Sequence, residues 1–484
     1  MKGLSVKKLA VALPIICIVV LTTFFHFQVH YENALTLEYA ADYEVSISVW
    51  RIIFEPLFGP LLYINRSLYA LEEIPITLAW AILFVICFGM LKFFKSEFPS
   101  SRKSFFFGQL ANLPLLIGIG FGIFVLILFI PLPNNTIVNN SKDSVLVTTH
   151  AHTEFSHDGL TSQEKMWKWH KRNGFDAFFI TDHANHKKSL EFTQKQRNGE
   201  FAIDPLIMVG QEYSASNHMS LLGGLNGKFK TKGMSDKVAI DSVHHYGGAV
   251  IINHWFDGKG KEKEVYNDLG ADGFEIENVG KELYYDREIF KELKEFCESN
   301  ELMMVGGLDF HGYGRACSVY NAFEIPGWRN MDFTSKESTI LDILKNGPQE
   351  KLEILMYKDR PYYTSDVLWY RPFLTVVNYF RTLNVFQTLS WVFWLLIIQF
   401  IRNLIKRRFI ATNKLLVLLA GVSAMFLSIL ALVYYFRGEA VKGYSEVYSE
   451  YSGLLGPIGI VILLYTLIVA YFRFFKRNKQ ENPA

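Results

Sequence analysis

The chain has 484 residues, of which 50% are hydrophobic, 15% aromatic and 20% charged, and its formal net charge is +2. So even a balance excludes a strongly basic nucleic-acid binder and a strongly acidic disordered chain. The mean hydropathy of +0.15 is too high for an ordinary soluble protein and too low for a chain made only of membrane segments, so two materials are mixed.

The first material lies in six windows free of Asp, Glu, Lys and Arg: Leu9–Tyr31, Ile74–Leu91, Ser104–Ser141, Thr382–Ile401, Leu415–Phe436 and Tyr451–Phe472. A helix needs about 20 apolar residues to cross a hydrocarbon core of roughly 30 Å. These windows therefore predict spans at 9–31, 74–91 and 109–131 within a membrane region 1–141, and at 383–401, 415–436 and 453–472 within a second region 367–484. Residues 142–366 carry charges throughout and form the domain between them.

The flanking charges set an orientation. Lys7 and Lys8, Lys92 to Lys103, Arg402 to Lys414 and Arg473 to Lys479 mark four basic segments. Short basic loops face the cytoplasm. Both termini are then cytoplasmic, and the central domain lies outside the cytoplasm of a multi-pass plasma-membrane protein. Trp80, Trp391, Trp394, Tyr434 and Tyr435 lie near span ends, as interfacial aromatics do. A cleaved signal peptide is the alternative for the first window, but no clear small-x-small site follows it. The segment Tyr31–Glu73 reads either as an interfacial amphipathic stretch or as a cap on the domain. Cys297 and Cys317 are the two domain cysteines, in a compartment that permits disulfides, and their spacing carries no metal pattern.

Within the domain, apolar runs alternate with helical patterns. Strands are predicted at Ser144–Thr149, Asp176–Thr181, Leu206–Gly210, His218–Leu222, Ala249–Ile252, Gly273–Ile276, Leu302–Gly307 and Cys317–Ile325. Helices are predicted at Thr161–Asn173, Asp236–Tyr246, Tyr284–Ser299 and Lys336–Lys345, the first two stopped by Gly174 and Gly247. The alternation predicts a parallel α/β architecture. Polar residues recur just after the strands, where a β/α barrel gathers its catalytic groups.

Those polar residues are metal-ligand types. His150 and His152 share one side of an extended segment, as do Asp309 and His311, because side chains repeat every two residues. Asp158, His183, Glu212, His218 and His254 add single groups. Nine candidates exceed the need of one four-coordinate zinc and suit two or three divalent ions, zinc, manganese or iron. A lone histidine after a strand is usually structural. Here eleven of the 13 histidines fall in one domain, many at strand ends. His186, Lys187 and Lys188 suggest a solvated basic face, and His244 and His245 a helix terminus.

The order of these residues resembles a family. His150-Ala151-His152-Thr153, Ser156-His157-Asp158-Gly159 and Thr181-Asp182-His183 are similar to the opening motifs of the polymerase and histidinol phosphatase (PHP) superfamily. Gly210-Gln211-Glu212, His218 with its apolar strand, Asn253-His254-Trp255 and Gly307-Leu308-Asp309-Phe310-His311 resemble its later motifs in order. Trp255 replaces the usual proline and Leu308 the usual serine, neither at a ligand position. His157 is an extra residue and a second candidate beside Asp158.

The resemblance, over Val145–Gly312, implies a distorted seven-stranded (β/α)7 barrel set between the two groups of three spans. It implies a di- or trinuclear centre with His150, His152, Glu212 and Asp309 on one ion and Asp158, His183, His218, His254 and His311 completing the others, Glu212 bridging. It further implies phosphoester hydrolysis by a metal-activated hydroxide, with Glu212 and Asp309 at the reacting centre. Arg315 follows closely and suits a phosphate contact. Asp182 reads as a group that orients a ligand or its loop. The substrate is then a small-molecule, lipid-head-group or envelope phosphoester, with the lipid bilayer as the other partner and no nucleic acid. Hydrolysis of an amide or carbamate ester, and a non-catalytic metal-binding sensor or scaffold, are the competing readings.

Overall fold

The computed structural model describes residues 6–64, 70–95, 106–183, 185–214, 216–225, 229–278, 287–314, 319–359, 368–404 and 412–475. Twelve strands run in chain order among them: β1 His30–Asn33, β2 Tyr43–Ile47, β3 Asn135–Asn139, β4 Ser144–Thr148, β5 Ala177–Ile180, β6 Leu206–Ser214, β7 His218–Leu222, β8 Ala249–Ile252, β9 Gly273–Asn278, β10 Met303–Gly307, β11 Val319–Glu324 and β12 Leu352–Lys358. Ten of them form one curled sheet in the order β1-β12-β11-β4-β5-β6-β7-β8-β9-β10, and β2 pairs with β3 separately.

Local chemistry explains the central elements. The runs Ala177–Ile180 and Ala249–Ile252 are apolar and wholly buried, as strands covered on both faces must be. Helices on the outside begin at side-chain caps. Ser162 accepts from Lys165 N at the start of Gln163–Arg172, and Ser235 from Val238 N at the start of Asp236–His245. Gly174 and Gly247, both at φ 81°, follow their ends, because only glycine turns the chain there without strain.

The parallel architecture is corrected. β4/β5, β5/β6, β8/β9 and β9/β10 are parallel, but β7 runs antiparallel to both β6 and β8, and β11 to both β4 and β12. For β7 the cause lies between Ser214 and His218. A crossover between parallel strands needs a dozen or more residues, and this connection has room only for a hairpin.

The curled sheet brings β10 beside β11, and side chains tie the two. Asn321 accepts from Gly306 N at 2.7 Å and donates to Gly306 O at 2.8 Å. Gln349, just before β12, accepts from Met304 N at 2.8 Å and holds β10 from that side.

The segment after the first apolar window divides between the domain and the apolar helices. β1 adds to the sheet edge against β12, with Tyr31 buried between Tyr320 and Tyr357. Helices Val49–Ile53 and Glu55–Ile64 then lie against the C-terminal helices, where Ile53 O accepts from Ser390 and Trp394.

Among the described residues, three helices are long and apolar enough to cross a membrane: Phe106–Phe129, Lys414–Ala440 and Val447–Phe474. Arg371–Arg381 and Val385–Ile401 join at a 111° bend and make a fourth if counted as one span, and Ala12–Phe24 and Pro75–Leu91 are shorter apolar helices. The first window is thus corrected: its helix ends at Phe24, and His30 and Tyr31 belong to β1, where backbone pairing with β12 outweighs their lack of charge. Outward-facing Ile429, Leu432, Val461 and Leu464 are more than half exposed, an apolar surface suited to lipid. Inside, Gly122 meets Ser423 and Gly459 meets Ser428, small-residue contacts that let helices approach closely.

Candidate metal centre

The strand ends at one rim of the sheet present histidines and carboxylates to a common point. Glu212, near the end of β6 and 1% exposed, stands at its middle. Its Oε1 lies 3.2 Å from His150 Nε2, 3.1 Å from His218 Nδ1 and 3.5 Å from His254 Nε2. Its Oε2 lies 3.2 Å from His152 Nε2 and 3.0 Å from His183 Nε2. Asp309 Oδ1 lies 3.2 Å from His150 Nε2 and 3.3 Å from His152 Nε2. On the other side, Asp158 Oδ2 lies 3.0 Å from His311 Nε2 and 3.4 Å from His183 Nε2. All nine residues singled out in the sequence meet here.

These atoms fit divalent cations. Ligand atoms of His150/His152/Asp309, His152/Asp158/His183 and His183/Glu212/His218 each lie within 4.8 Å of one another. His150 Nε2 faces His152 Nε2 at 3.0 Å with carboxylate oxygens on both. One ring can donate its N–H to the other's lone pair across that gap, and when both nitrogens present lone pairs they can share a cation. The groups overlap through His152 and His183, so they suit neighbouring ions.

Two of the nine sit on strained backbone. Asp309 has φ 47° and His254 φ 30°, a left-handed region that non-glycine residues seldom occupy. Such strain persists where the surroundings over-determine it, typically at functional sites.

A second layer orients the first. His150 Nδ1 bonds Glu275 Oε1 at 2.8 Å, and the other Glu275 oxygen accepts from His254 N at 3.1 Å. His311 Nδ1 bonds Asp309 O at 2.8 Å, and His183 Nδ1 meets Ser214 Oγ at 3.1 Å. In each case the outer ring nitrogen is engaged, which turns Nε2 inward. Asn253 donates to Glu212 Oε1 at 2.8 Å. Asp182 accepts from Thr153 N and Oγ1 at 2.6 and 2.8 Å, fixing the loop after His152 as expected of it. Glu275 and Asn253 were not singled out as site residues. Their signal was the pattern Gly-Phe-Glu-Ile-Glu-Asn in β9 and the asparagine directly before His254.

The electrostatics favour bound cations. Burial opposes charge on His150, yet Glu212, Asp309 and Glu275 outweigh it and hold the imidazole well above its usual value. Burial likewise opposes charge on His183, but bonds to Asp158 and Glu212 raise it to about 10. Burial pushes Glu212 up, and the surrounding imidazoles pull it well below the carboxylate range. A carboxylate cluster that draws protons onto imidazoles draws divalent ions in the same way, and binding them displaces those protons.

Other expectations sort clearly. His157 Nε2 is 3.9 Å from Asp158 Oδ2 with its side chain 58% exposed, while Asp158 faces the cluster. His186 is buried and bonds Gln211 Oε1 at 3.0 Å, so it is no part of a solvated face. His244 and His245 lie in the last turn of Asp236–His245, and His244 also bonds the Asp272 carboxylate at 2.7 Å. Arg315 and Cys317 lie outside the described residues. Cys297 is buried in the core, and burial pushes its thiol up to about 12.

A mixed α/β sheet with a His/Asp/Glu cluster at one rim defines a metal-site domain. The family model of the PHP domain matches residues 148–269, which hold His150 to His254; the fold adds Asp309 and His311 from beyond that stretch. No curated relative matches the chain. Among solved structures it is similar to a protein of Bifidobacterium adolescentis described as a metal-dependent phosphoesterase, at 16% identity, covering 36% of this chain and 90% of that one, TM-score 0.28. It is also similar to PsfC of Pseudomonas syringae, at 16% identity, 49% and 98% coverage and TM-score 0.34. An amidohydrolase of Chromobacterium violaceum with bound sulfate and no metal gives 12% identity, 39% and 96% coverage and TM-score 0.27.

Proposed function

We propose that the chain is a membrane-anchored metal-dependent hydrolase that cleaves phosphoesters outside the cytoplasm. The observation that carries this reading is the Glu212 carboxylate, which five imidazoles approach within 3.5 Å. A purely structural site needs four ligands and closes around them. This one offers nine, and Asp158 and His218 keep 26% and 40% of their side chains exposed, which leaves an approach for substrate.

Divalent ions held by His150, His152, Asp158, His183, Glu212, His218, His254, Asp309 and His311 would supply an activated water at neutral pH and neutralise phosphoryl charge. The chain's own residues hold and orient. Glu212 spans the cluster with both oxygens, and Asp309 and Asp158 flank it. Glu275, the Asp309 carbonyl and Ser214 keep the imidazoles of His150, His311 and His183 turned inward. Arg315 is assigned the substrate phosphate on its chemistry alone. The four basic segments of the sequence support both termini in the cytoplasm and the domain outside.

The test is metal analysis of detergent-solubilised protein with a panel of phosphodiesters, amides and carbamate esters. We expect at least two divalent ions per chain and phosphodiester turnover. Glu212→Ala should lose both, by more than the roughly 10–100-fold that losing an outer partner costs. Protein that holds no metal after incubation with zinc, manganese and iron would overturn the reading. Amide or carbamate turnover alone would move it to that reaction class.

A further inference from the structure

The loops that carry Asp158 and His311 rest on the ends of the membrane helices. Asp158 is held from both neighbours: His157 O accepts from Glu446 N at 2.7 Å, and Gly159 O from Ser445 Oγ at 2.8 Å. Those two residues open the helix Val447–Ala470. Earlier in the same loop, buried Glu154 accepts a forked pair of bonds from Arg437, near the end of Thr412–Ala440, the Nε bond at 2.7 Å. Leu160 is buried among Val125, Leu427, Tyr434 and Tyr448 of all three long apolar helices. Past His311, Gly314 N donates to Leu128 O at 2.7 Å, at the end of Leu113–Phe129.

A chain of rings measures the separation. His311 and Tyr313 are 6.0 Å apart by centroid, and Tyr313 and Phe129 5.9 Å. Phe129 in turn meets Tyr434 at 5.8 Å and Tyr451 at 5.0 Å. Phe129 is the last residue of its apolar helix. The head-group layer is roughly 5–8 Å deep on each side of the hydrocarbon core. Two ring steps, at most about 12 Å in all, therefore separate the end of an apolar helix from a metal-ligand residue, a reach comparable with the head-group layer and its edge. Tyrosines crowd that boundary, as they do at membrane interfaces.

We infer that the centre takes its substrate from the head-group layer: a membrane lipid with a phosphodiester in its head group. This rests on the hydrolase reading above and narrows it. A dissolved ester would gain nothing from a catalytic rim fastened to three helix ends. A lipid anchored in the bilayer arrives there already concentrated and oriented. In the reaction, water adds to phosphorus and one P–O bond breaks. The leaving alcohol takes a proton, giving a lipid phosphomonoester plus head-group alcohol, or a diacylglycerol plus head-group phosphate.

Two measurements on the full chain in dioleoyl phosphatidylcholine nanodiscs test this. The first reads position without catalysis. Single labels at His157→Cys and Glu298→Cys, in a background with the four native cysteines replaced, are exposed to lipids carrying a head-group nitroxide. Glu298 leads into the opposite end of β10 from His311, about 16 Å of strand away. The label at 157 should be quenched several-fold more than that at 298; equal quenching would overturn the inference. The second compares hexadecyl and ethyl para-nitrophenyl phosphate, which share the reacting bond. The hexadecyl ester should show kcat/KM about tenfold higher or more, from its concentration in the bilayer. Equal or faster turnover of the ethyl ester would remove the lipid substrate and leave the hydrolase intact. Turnover of neither by metal-loaded protein would remove the hydrolase, and the lipid reading with it.

Discussion

Glu275 shows how much of the centre depends on residues that never face substrate. Its two oxygens hold the His150 ring and the His254 backbone, the latter in a strained conformation. Glu275→Gln keeps the size and loses the charge. Metal affinity, measured by competition with a chelator, should fall about 10–100-fold while the secondary structure is kept. Unchanged affinity would mean that His150 needs no orienting partner. His170 belongs to a different physical class. It stacks flat on Phe178 at 4.0 Å, bonds Met166 O at 3.0 Å, and burial lowers it to about 3. Because the unfolded chain takes up a proton near pH 6.5 and the folded one does not, its contribution to stability is complete above about 6.5 and lost as pH falls toward 3. His170→Phe should flatten that acid limb in melts of the solubilised chain followed by tryptophan fluorescence. Ligand types were readable because metals demand them. Glu275 left only the pattern Gly-Phe-Glu-Ile-Glu-Asn, which marks an acidic residue inside a strand but not the imidazole it meets.

The seam between β10 and β11 matters most at the scale of elements. Asn321, 1% exposed, satisfies both backbone groups of Gly306. Next to it, a Cβ on Gly307 would lie 2.4 Å from the Glu275 carboxylate, so the seam and the metal layer share one crowded spot. Asn321→Leu leaves two buried backbone groups unpaired, at about 1–3 kcal/mol each. The domain should melt lower and lose metal affinity together; a melt shift with unchanged affinity would show that the seam acts on stability alone. The predicted strands from Ser144 to Ile325 coincide closely with observed ones, because continuous apolar runs state their burial directly. β1 and β12 were not predicted. His30–Asn33 is short and polar, and becomes a strand only because β12 offers it an edge. The direction of β7 was likewise decided by the length of a turn.

For the molecule as a whole, the issue is on which side of a membrane the proposed metal centre would lie. Reporters fused after Asn140 separate the options: an export-dependent phosphatase should be active there and a cytoplasm-only fluorescent protein dark. The reverse would place the domain inside and overturn the orientation. The same scale holds the Arg437–Glu154 pair. Arg437→Ala would take the charged partner from a buried carboxylate in the loop that carries Asp158, leaving it only Tyr448. We expect turnover of the ethyl ester to fall, with a smaller loss for Arg437→Lys, which keeps the charge but not the fork.

Two kinds of information divide between sequence and tertiary structure. Composition alone separated uncharged segments from a histidine-rich domain, because water and hydrocarbon select residues one at a time. Ligand types and their order were local as well, since each sits where its own strand ends. The curl that brings β10 beside β11, the partner of each imidazole and the fastening of the metal-ligand rim to helices more than a hundred residues away are pairwise facts. They arise only when distant segments are packed together, which is why the fold had to decide them.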